Sequence, residues 1–448
     1  MSPLRKVFVA NRGEIALRIV RACHESGIEA VAGYSDADAD ARWVRLADQA
    51  VHLGGSPAAK SYLDAEAVLR GAAESGADAV HPGYGFLSEN AGFAHRVRAA
   101  GLVFVGAPPE VIETMGDKAR ARHTAREAGV PVVPGSEPVG GVDEARAAAG
   151  EIGYPLLVKA AAGGGGRGIR PVHGPEELKE VLPTARAEAS AAFGDGSVYL
   201  ERLIGRARHI EVQILADGHG NVVHAYERDC SVQRRRQKLI EEAPASGLAP
   251  ETRSAITAEA VRLASHVGYR GAGTVEFLLE EDGSFYFMEM NTRIQVEHPV
   301  TECVTGLDLV AEQLRIAAGE PLSVSQEDIA LRGAAVELRI NSEDPDNSFM
   351  PAPGELERFD LPGGPGVRVD TGFTAGDRIS PFYDSMIAKL ICTGADREQA
   401  LARARQALAE LRIAPLPSTA TLHSRLLASE DMRGNAVHTG WLEEWLSG

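Results

Sequence analysis

Gly273-Thr274-Val275-Glu276-Phe277-Leu278-Leu279 and, after a turn, Phe285-Tyr286-Phe287-Met288-Glu289-Met290-Asn291 are two β-rich runs flanking Asp282-Gly283. Asp-Gly is a favoured two-residue hairpin turn. Centring the turn there, or on a four-residue loop with the same centre, pairs position 281 with 284 and places Glu276 opposite Glu289. Like charges set opposite each other destabilise a sheet, unless a cation sits between them. Ligands that are all oxygen suit Mg²⁺ or Mn²⁺. The bland alternative is two glutamates on a solvated face. Leu278, Phe285 and Phe287, which this register puts on the same face, argue against it.

If the chain stays extended beyond Glu289, period two puts Asn291, Arg293, Gln295 and Glu297 on the metal side, with Ile294 and Val296 opposite. That side then holds a metal ligand, an anion-binding guanidinium, an amide and a carboxylate base. Such a face suits a meeting of the ATP γ-phosphate with a small anion.

Upstream, Leu156-Leu157-Val158-Lys159 leads through Ala160 to Ala162 into Gly163-Gly164-Gly165-Gly166-Arg167-Gly168 and out as a strand. Bare amide N–H groups in such a loop turn readily toward phosphate oxygens, and Lys159 adds a point charge. It is not a Walker loop, because the lysine precedes the glycines. Glycine-rich segments of this kind suit a closing lid.

The N-terminal region alternates strands (Lys6 to Ala10, Val31 to Tyr34, Ala79 to His81, Val103 to Val105) with a helical pattern at Ile15, Ile19, Val20 and Cys23, which Gly27 is placed to end. This predicts a doubly wound parallel sheet. Asn11-Arg12-Gly13-Glu14 and His81-Pro82-Gly83-Tyr84-Gly85 fall at carboxyl ends of strands, where ligands usually sit. A helix is expected over Asp117 to Ala128, and a hairpin over His209 to Glu227 turning at Asp217-Gly218 or at Gly218 to Gly220. The expected divisions are 1–114, 115–320 with a lid at about 131–205, and a mixed α+β unit at 333–448. The fold class is thus α/β and α+β, multidomain.

Across 448 residues the net charge of −17 argues against a nucleic-acid binder, which needs a basic face, even with Arg234-Arg235-Arg236-Gln237-Lys238 present. No run approaches the roughly 18 apolar residues that span a bilayer, and Val7 to Ala10 is too short for a signal core. Four isolated cysteines, Cys23, Cys230, Cys303 and Cys392, fit reduced thiols in the cytoplasm.

Glu289-Met290-Asn291-Thr292-Arg293-Ile294-Gln295-Val296-Glu297-His298-Pro299-Val300-Thr301-Glu302 resembles the signature of biotin carboxylases within the ATP-grasp superfamily. So do Ala10 to Ala16, His81 to Asn90, Met115 to Lys118, Gly163 to Gly168, Glu227 to Ser231 and Phe382 to Leu390. The resemblance covers essentially the whole chain. It implies a central ATP-grasp domain with a mobile lid, and a reaction in which ATP phosphorylates bicarbonate to carboxyphosphate. Deprotonated biotin then captures the released CO₂.

By resemblance, Lys118, Lys159, Gly164, Gly165, Gly166, Glu201, Ile204, His209 and Gln233 hold the nucleotide, together with Glu276 and Glu289. Glu276, Glu289 and Asn291 hold Mg²⁺ or Mn²⁺. Lys238, Arg293, Gln295 and the Val296 backbone hold bicarbonate, and Glu297 is the base. Arg339 stabilises the enolate-like oxygen of deprotonated biotin, with Tyr84 nearby. None of the seven methionines precedes a lysine, so no Met-Lys-Met attachment sequence is present. Biotin is therefore expected on a separate biotin carboxyl carrier protein, with the carboxyltransferase on another chain. Arg21, Glu25 and Arg368 match positions associated with a homodimer interface.

Two departures stand out: Arg236, where the family has His or Asn, and Ile413 to Thr419, where it has Gly and Thr-Asn. The first is expected to alter ATP affinity without removing a catalytic group. A carbamoyl-phosphate synthetase-like ligase is the main alternative, although such enzymes tend to show Ser-Arg after Asn-x-Arg. A non-catalytic paralogue is the other.

Overall fold

Five short strands build the N-terminal sheet: β1 (Lys6–Val9), β2 (Glu29–Ser35), β3 (Gln49–Gly54), β4 (Ala79–His81) and β5 (Val103–Phe104). They run in the order β3-β2-β1-β4-β5, all parallel, as the alternating pattern requires. The computed structural model describes residues 4–161 and 168–448. Helix α1 (Gly13–Glu25) follows β1, and its Ile15, Ile19, Val20 and Cys23 are buried beneath the sheet. Strand β3 escaped the sequence reading because most of its residues are exposed, which leaves little apolar alternation to detect.

The loops after β1 and β4 are tied together. Asn11 Nδ2 donates to the carbonyls of Pro82 (2.6 Å) and Tyr84 (2.7 Å). Gly83 has φ +61° and lies where a Cβ would meet Asn11 Nδ2 at 2.9 Å, so no side chain fits there.

The glycine-loop segment is an antiparallel sheet of β6 (Leu156–Ala160), β7 (Ile169–Val172) and β8 (Val198–Arg202), in the order β7-β6-β8. Helices Val142–Ile152 and Pro175–Phe193 cover it around a separate small core that includes Leu156, Val158, Leu178 and Leu200. Gly164, Gly165 and Gly166 lie outside the described residues.

The remaining long strands form one eight-stranded sheet. These are β9 (Arg208–Ala216), β10 (Val222–Arg234), β11 (Gln237–Ala243), β12 (Gly271–Leu279), β13 (Phe285–Asn291) and β14 (Ala334–Asn341), followed by Met386–Gly394 and Val367–Asp370. The order is β13-β12-β9-β10-β11-β14, then Met386–Gly394 and Val367–Asp370. The stretch from Gly333 onward therefore extends the central sheet rather than starting another. Its own apolar core packs Leu338, Leu390, Leu401, Leu426 and Trp441. The β9–β10 hairpin closes with Asp217 N–H on the Asn221 carbonyl, which makes Gly218 to Gly220 the loop.

The decisive hairpin has the expected pair through an unexpected route. Glu276 does face Glu289, but Phe277 pairs with Phe287 and Leu279 with Phe285. The turn is a three-residue loop, with Glu280 N–H on Ser284 O and Gly283 at φ +87°, and an extra residue at Met288 resets the register. Phe285 and Phe287 consequently leave the glutamate face and pack with Phe277 and Leu279 in the core. The shared face anticipated for Phe285, Phe287 and the two glutamates is thus corrected, because one inserted residue reverses the sidedness of a strand. Among the described residues, no helix is long and apolar enough to cross a membrane.

Candidate active site

A single rung across four strands organises the site. Arg228 on β10 pairs with Glu211 on β9, Glu211 with Glu276 on β12, and Glu276 with Glu289 on β13. The sequence HIEVQI on β9 alternates His209, Glu211 and Gln213 with buried Ile210, Val212 and Ile214. Period two therefore delivers three polar side chains to one face of an otherwise apolar strand.

Arg228 is fully buried. Its Nε donates to Glu211 Oε1 at 2.5 Å, and its remaining nitrogens reach Gln213, Thr301 and Thr274. Lys238 enters from β11 and its Nζ meets Glu211 (2.5 Å), Glu276 (3.0 Å) and Glu297 (2.6 Å). Glu276 also receives His209 Nε2 (3.1 Å), Asn291 Nδ2 (2.9 Å) and Gln295 Nε2 (3.1 Å). Burial pushes the Glu276 carboxyl up, but Lys238 and His209 outweigh it and hold the group well below the usual range.

Beyond Asn291 the chain does not stay extended: it leaves the strand and reaches the helix His298–Thr305 through a bent loop. The anticipated residues converge all the same. Arg293 donates to Gln295 Oε1 (3.0 Å), Asn291 Oδ1 (3.0 Å) and Glu89 (2.8 Å), while Ile294 turns into the core. Glu297 is fully buried, with Lys238 on one carboxylate oxygen and Arg339 Nη2 on the other at 2.9 Å. Burial raises its pKa, yet Lys238, Arg339 and Arg228 together carry it well below an ordinary carboxylate.

Arg339 is held by Glu241 through its Nε (2.6 Å) as well as by Glu297. Burial, opposed by Arg339 and aided by Glu297, pushes Glu241 up to about 7. Tyr84 donates its hydroxyl to Glu14, and Lys389 Nζ lies 3.1 Å from the same carboxylate. On the far side of the rung, Lys118 lies 3.3 Å from Glu289, and Lys159 pairs with Glu201 from the neighbouring strand. Gln233 sits beside Lys238 at the β10–β11 turn, and Ile204 lies between β8 and β9.

Sequence reasoning missed Glu89, Glu211, Arg228, Glu241 and Lys389. The β9 alternation was a legible signal for Glu211. Glu241 and Lys389 had none, since their partners come from distant strands.

Matches to family models fall in three blocks: "Biotin carboxylase, N-terminal domain" over residues 3–112, "Carbamoyl-phosphate synthase L chain, ATP binding domain" over 117–325, and "Biotin carboxylase C-terminal domain" over 337–444. The chain is 51% identical to a biotin carboxylase of Nostoc sp., covering 98% of both chains. The chain belongs to the biotin carboxylase family. It is also 48% identical to a pyruvate carboxylase component of Methanothermobacter thermautotrophicus, over 99% of this chain and 90% of that one. Among solved structures it is similar to the biotin carboxylase domain dimer of Hydrogenobacter thermophilus 2-oxoglutarate carboxylase, crystallised with MgADP, ADP and bicarbonate. The TM-score is 0.92 at 49% identity, covering 99% and 98% of the two chains.

A divalent cation is implied by biotin carboxylases, and the residues fit one. Glu276 and Glu289 are cross-strand neighbours of like charge, and Asn291 lies in the same strand as Glu289 with its Oδ1 turned to Arg293. All three offer oxygen, the donor preferred by Mg²⁺ and Mn²⁺.

Proposed function

We propose that this biotin carboxylase carries out the first half-reaction of an acyl-CoA or 2-oxoacid carboxylase, using ATP and bicarbonate to carboxylate biotin borne on a separate carrier protein. A bicarbonate oxygen attacks the γ-phosphorus, its proton passes to Glu297, and ADP leaves. The carboxyphosphate so formed breaks to CO₂ and phosphate. Biotin that has lost its ureido proton then forms the N–C bond.

The observation that carries this reading is the convergence of Glu297, Lys238, Arg339 and the Arg293–Gln295 pair from separate strands and a loop. In this reading Glu297 stands ionised and ready to accept a proton. Lys238 and Arg339, the cations that depress it, are shared with the arriving anion, so bicarbonate raises the basicity of Glu297 as it binds. Arg293 and Gln295 orient bicarbonate, with the Val296 N–H as a further donor. Arg339 then faces the biotin oxygen, with Tyr84 beside it. Fixed cations aimed where negative charge develops need no reorganisation during the reaction. Glu276, Glu289 and Asn291 would hold Mg²⁺ or Mn²⁺, which neutralises phosphate charge when bound. Lys118, Lys159, Glu201, Ile204, His209 and Gln233 are assigned to the nucleotide.

The partners in this reading are a biotin carboxyl carrier protein, a separate carboxyltransferase chain and a second copy of the carboxylase, in the cytoplasm. A separate carrier is supported by relatives of matching length, and a dimer by the solved dimer of the 2-oxoglutarate carboxylase domain. The central family model favours carbamoyl-phosphate chemistry as a second reading, but the flanking models oppose it.

Purified protein is expected to cleave ATP only with bicarbonate, faster with free biotin, and Glu297→Ala or Arg293→Ala to abolish turnover. ATP cleavage indifferent to bicarbonate and biotin overturns the reading. Ammonia-dependent turnover without biotin selects the second one.

A further inference from the structure

His298 follows the base in sequence, yet none of the assignments above uses it. The ring is fully buried at the start of the helix His298–Thr305. Its Nδ1 lies 2.7 Å from the Gln295 carbonyl oxygen, which also accepts the His298 backbone N–H at 3.4 Å. A carbonyl only accepts, so Nδ1 must carry the proton. Burial, reinforced by the charges of Lys389, Arg18 and Arg368, pushes the imidazole well below its usual pKa and keeps it neutral. Nε2 is then a lone pair, and among the described residues it meets no donor. A purely packing role would be better served by an apolar side chain without that unsatisfied atom.

The Gln295 carbonyl and the Val296 N–H belong to one planar trans peptide and point in opposite directions. Fixing the oxygen therefore aims the N–H. The next peptide is fixed as well, because Lys389 Nζ donates to the Val296 carbonyl at 2.8 Å. Among the described residues, no protein acceptor faces the Val296 N–H. Its flanking side chains, Gln295 and Glu297, both reach into the cluster around Lys238 and Glu276.

We propose that His298 is a positioning residue for the anion site: its Nδ1–H grips the Gln295 carbonyl and so points the Val296 N–H at bicarbonate. The inference rests on the assignment of Arg293, Gln295 and Val296 to bicarbonate. His298 touches neither substrate, and it acts through the backbone.

The two ring nitrogens can be told apart by substitution. His298→Asn places an amide N–H where Nδ1 stands, His298→Gln places one where Nε2 stands, and His298→Leu supplies neither. For the Gln and Leu variants, the bicarbonate KM is expected to rise about tenfold, the scale of a weakened hydrogen bond to an anion, with ATP KM and kcat at saturating bicarbonate near wild type. The Asn variant is expected to stay within about twofold of wild type in bicarbonate KM. Equal bicarbonate KM across all three variants, or a parallel rise in ATP KM, overturns the inference. Arg293→Lys serves as the reference for the underlying assignment. If it raises the bicarbonate KM while His298→Leu does not, His298 alone is misassigned. Should neither move it, the anion site itself lies elsewhere. Thermal midpoints of the variants separate loss of fold from loss of aim.

Discussion

Lys238 neutralises part of three buried carboxylates with one ammonium, and this explains why Glu211, Glu276 and Glu297 tolerate each other's company. Buried charges persist when paired and hydrogen-bonded, and removing one partner strands the rest. A quieter residue follows the same logic. His423, fully buried, sits 2.8 Å from the backbone carbonyl of Arg339, and burial pushes its pKa down to about 4 despite that contact. The unfolded chain takes up this proton near pH ~6.5, the ordinary value for histidine. The neutral ring thus contributes full stability above that pH, and the contribution is lost as pH falls toward about 4. Urea unfolding of His423→Gln between these limits is expected to show a pH slope shallower than wild type by up to ~1.4 kcal/mol per pH unit. Identical slopes would mean that His423 is already protonated in the fold.

At the scale of elements, the β10–β11 hairpin accounts for the run of arginines. Arg234 pairs with Gln237, leaving Arg235 (φ 47°) and Arg236 (φ 68°) as a two-residue turn with both central residues left-handed. Such turns prefer Asn-Gly, and ordinary side chains there are strained. The position where biotin carboxylases carry His or Asn is therefore a turn position, whose backbone suits Asn better than Arg. Replacing Arg235-Arg236 by Asn-Gly is expected to stabilise the protein by about 1–2 kcal/mol, read as a higher urea midpoint. An unchanged midpoint would show that the Arg235 and Arg236 side chains make compensating contacts. The β12–β13 hairpin teaches the converse. Its glutamate pair was legible because both members lie far enough from the turn for a bulge at Met288 to restore the register. The faces of Phe285 and Phe287 were not legible, since the bulge lies between them and Glu289.

For the molecule as a whole, the continuous eight-stranded sheet makes the region from Gly333 part of the catalytic machinery. Strand β14 pairs with β11 and brings Arg339 to Glu297, and Met386–Gly394 brings Lys389 to Val296. A fragment of residues 1–332 retains every nucleotide, metal and bicarbonate residue assigned above. It is nonetheless expected to be aggregation-prone and inactive, because β11 becomes a bare edge and Glu241 and Glu297 lose a cation. A soluble fragment cleaving ATP in a bicarbonate-dependent way would show that the final region is separable.

The sequence by itself determined the parallel N-terminal sheet, the opposed glutamates and the family, because periodicity, turn chemistry and contiguous motifs are local properties. Asn291 to Glu297 could be read as one cluster for the same reason, although the extended chain assumed for it is bent. Only the tertiary structure decided which cations meet which carboxylates. Arg228, Lys238, Arg339 and Lys389 reach the site from strands far apart in the chain, and strand order is a long-range outcome of packing. Charge pairing in a buried site depends on distances of a few ångströms between such strands, and no local pattern encodes them.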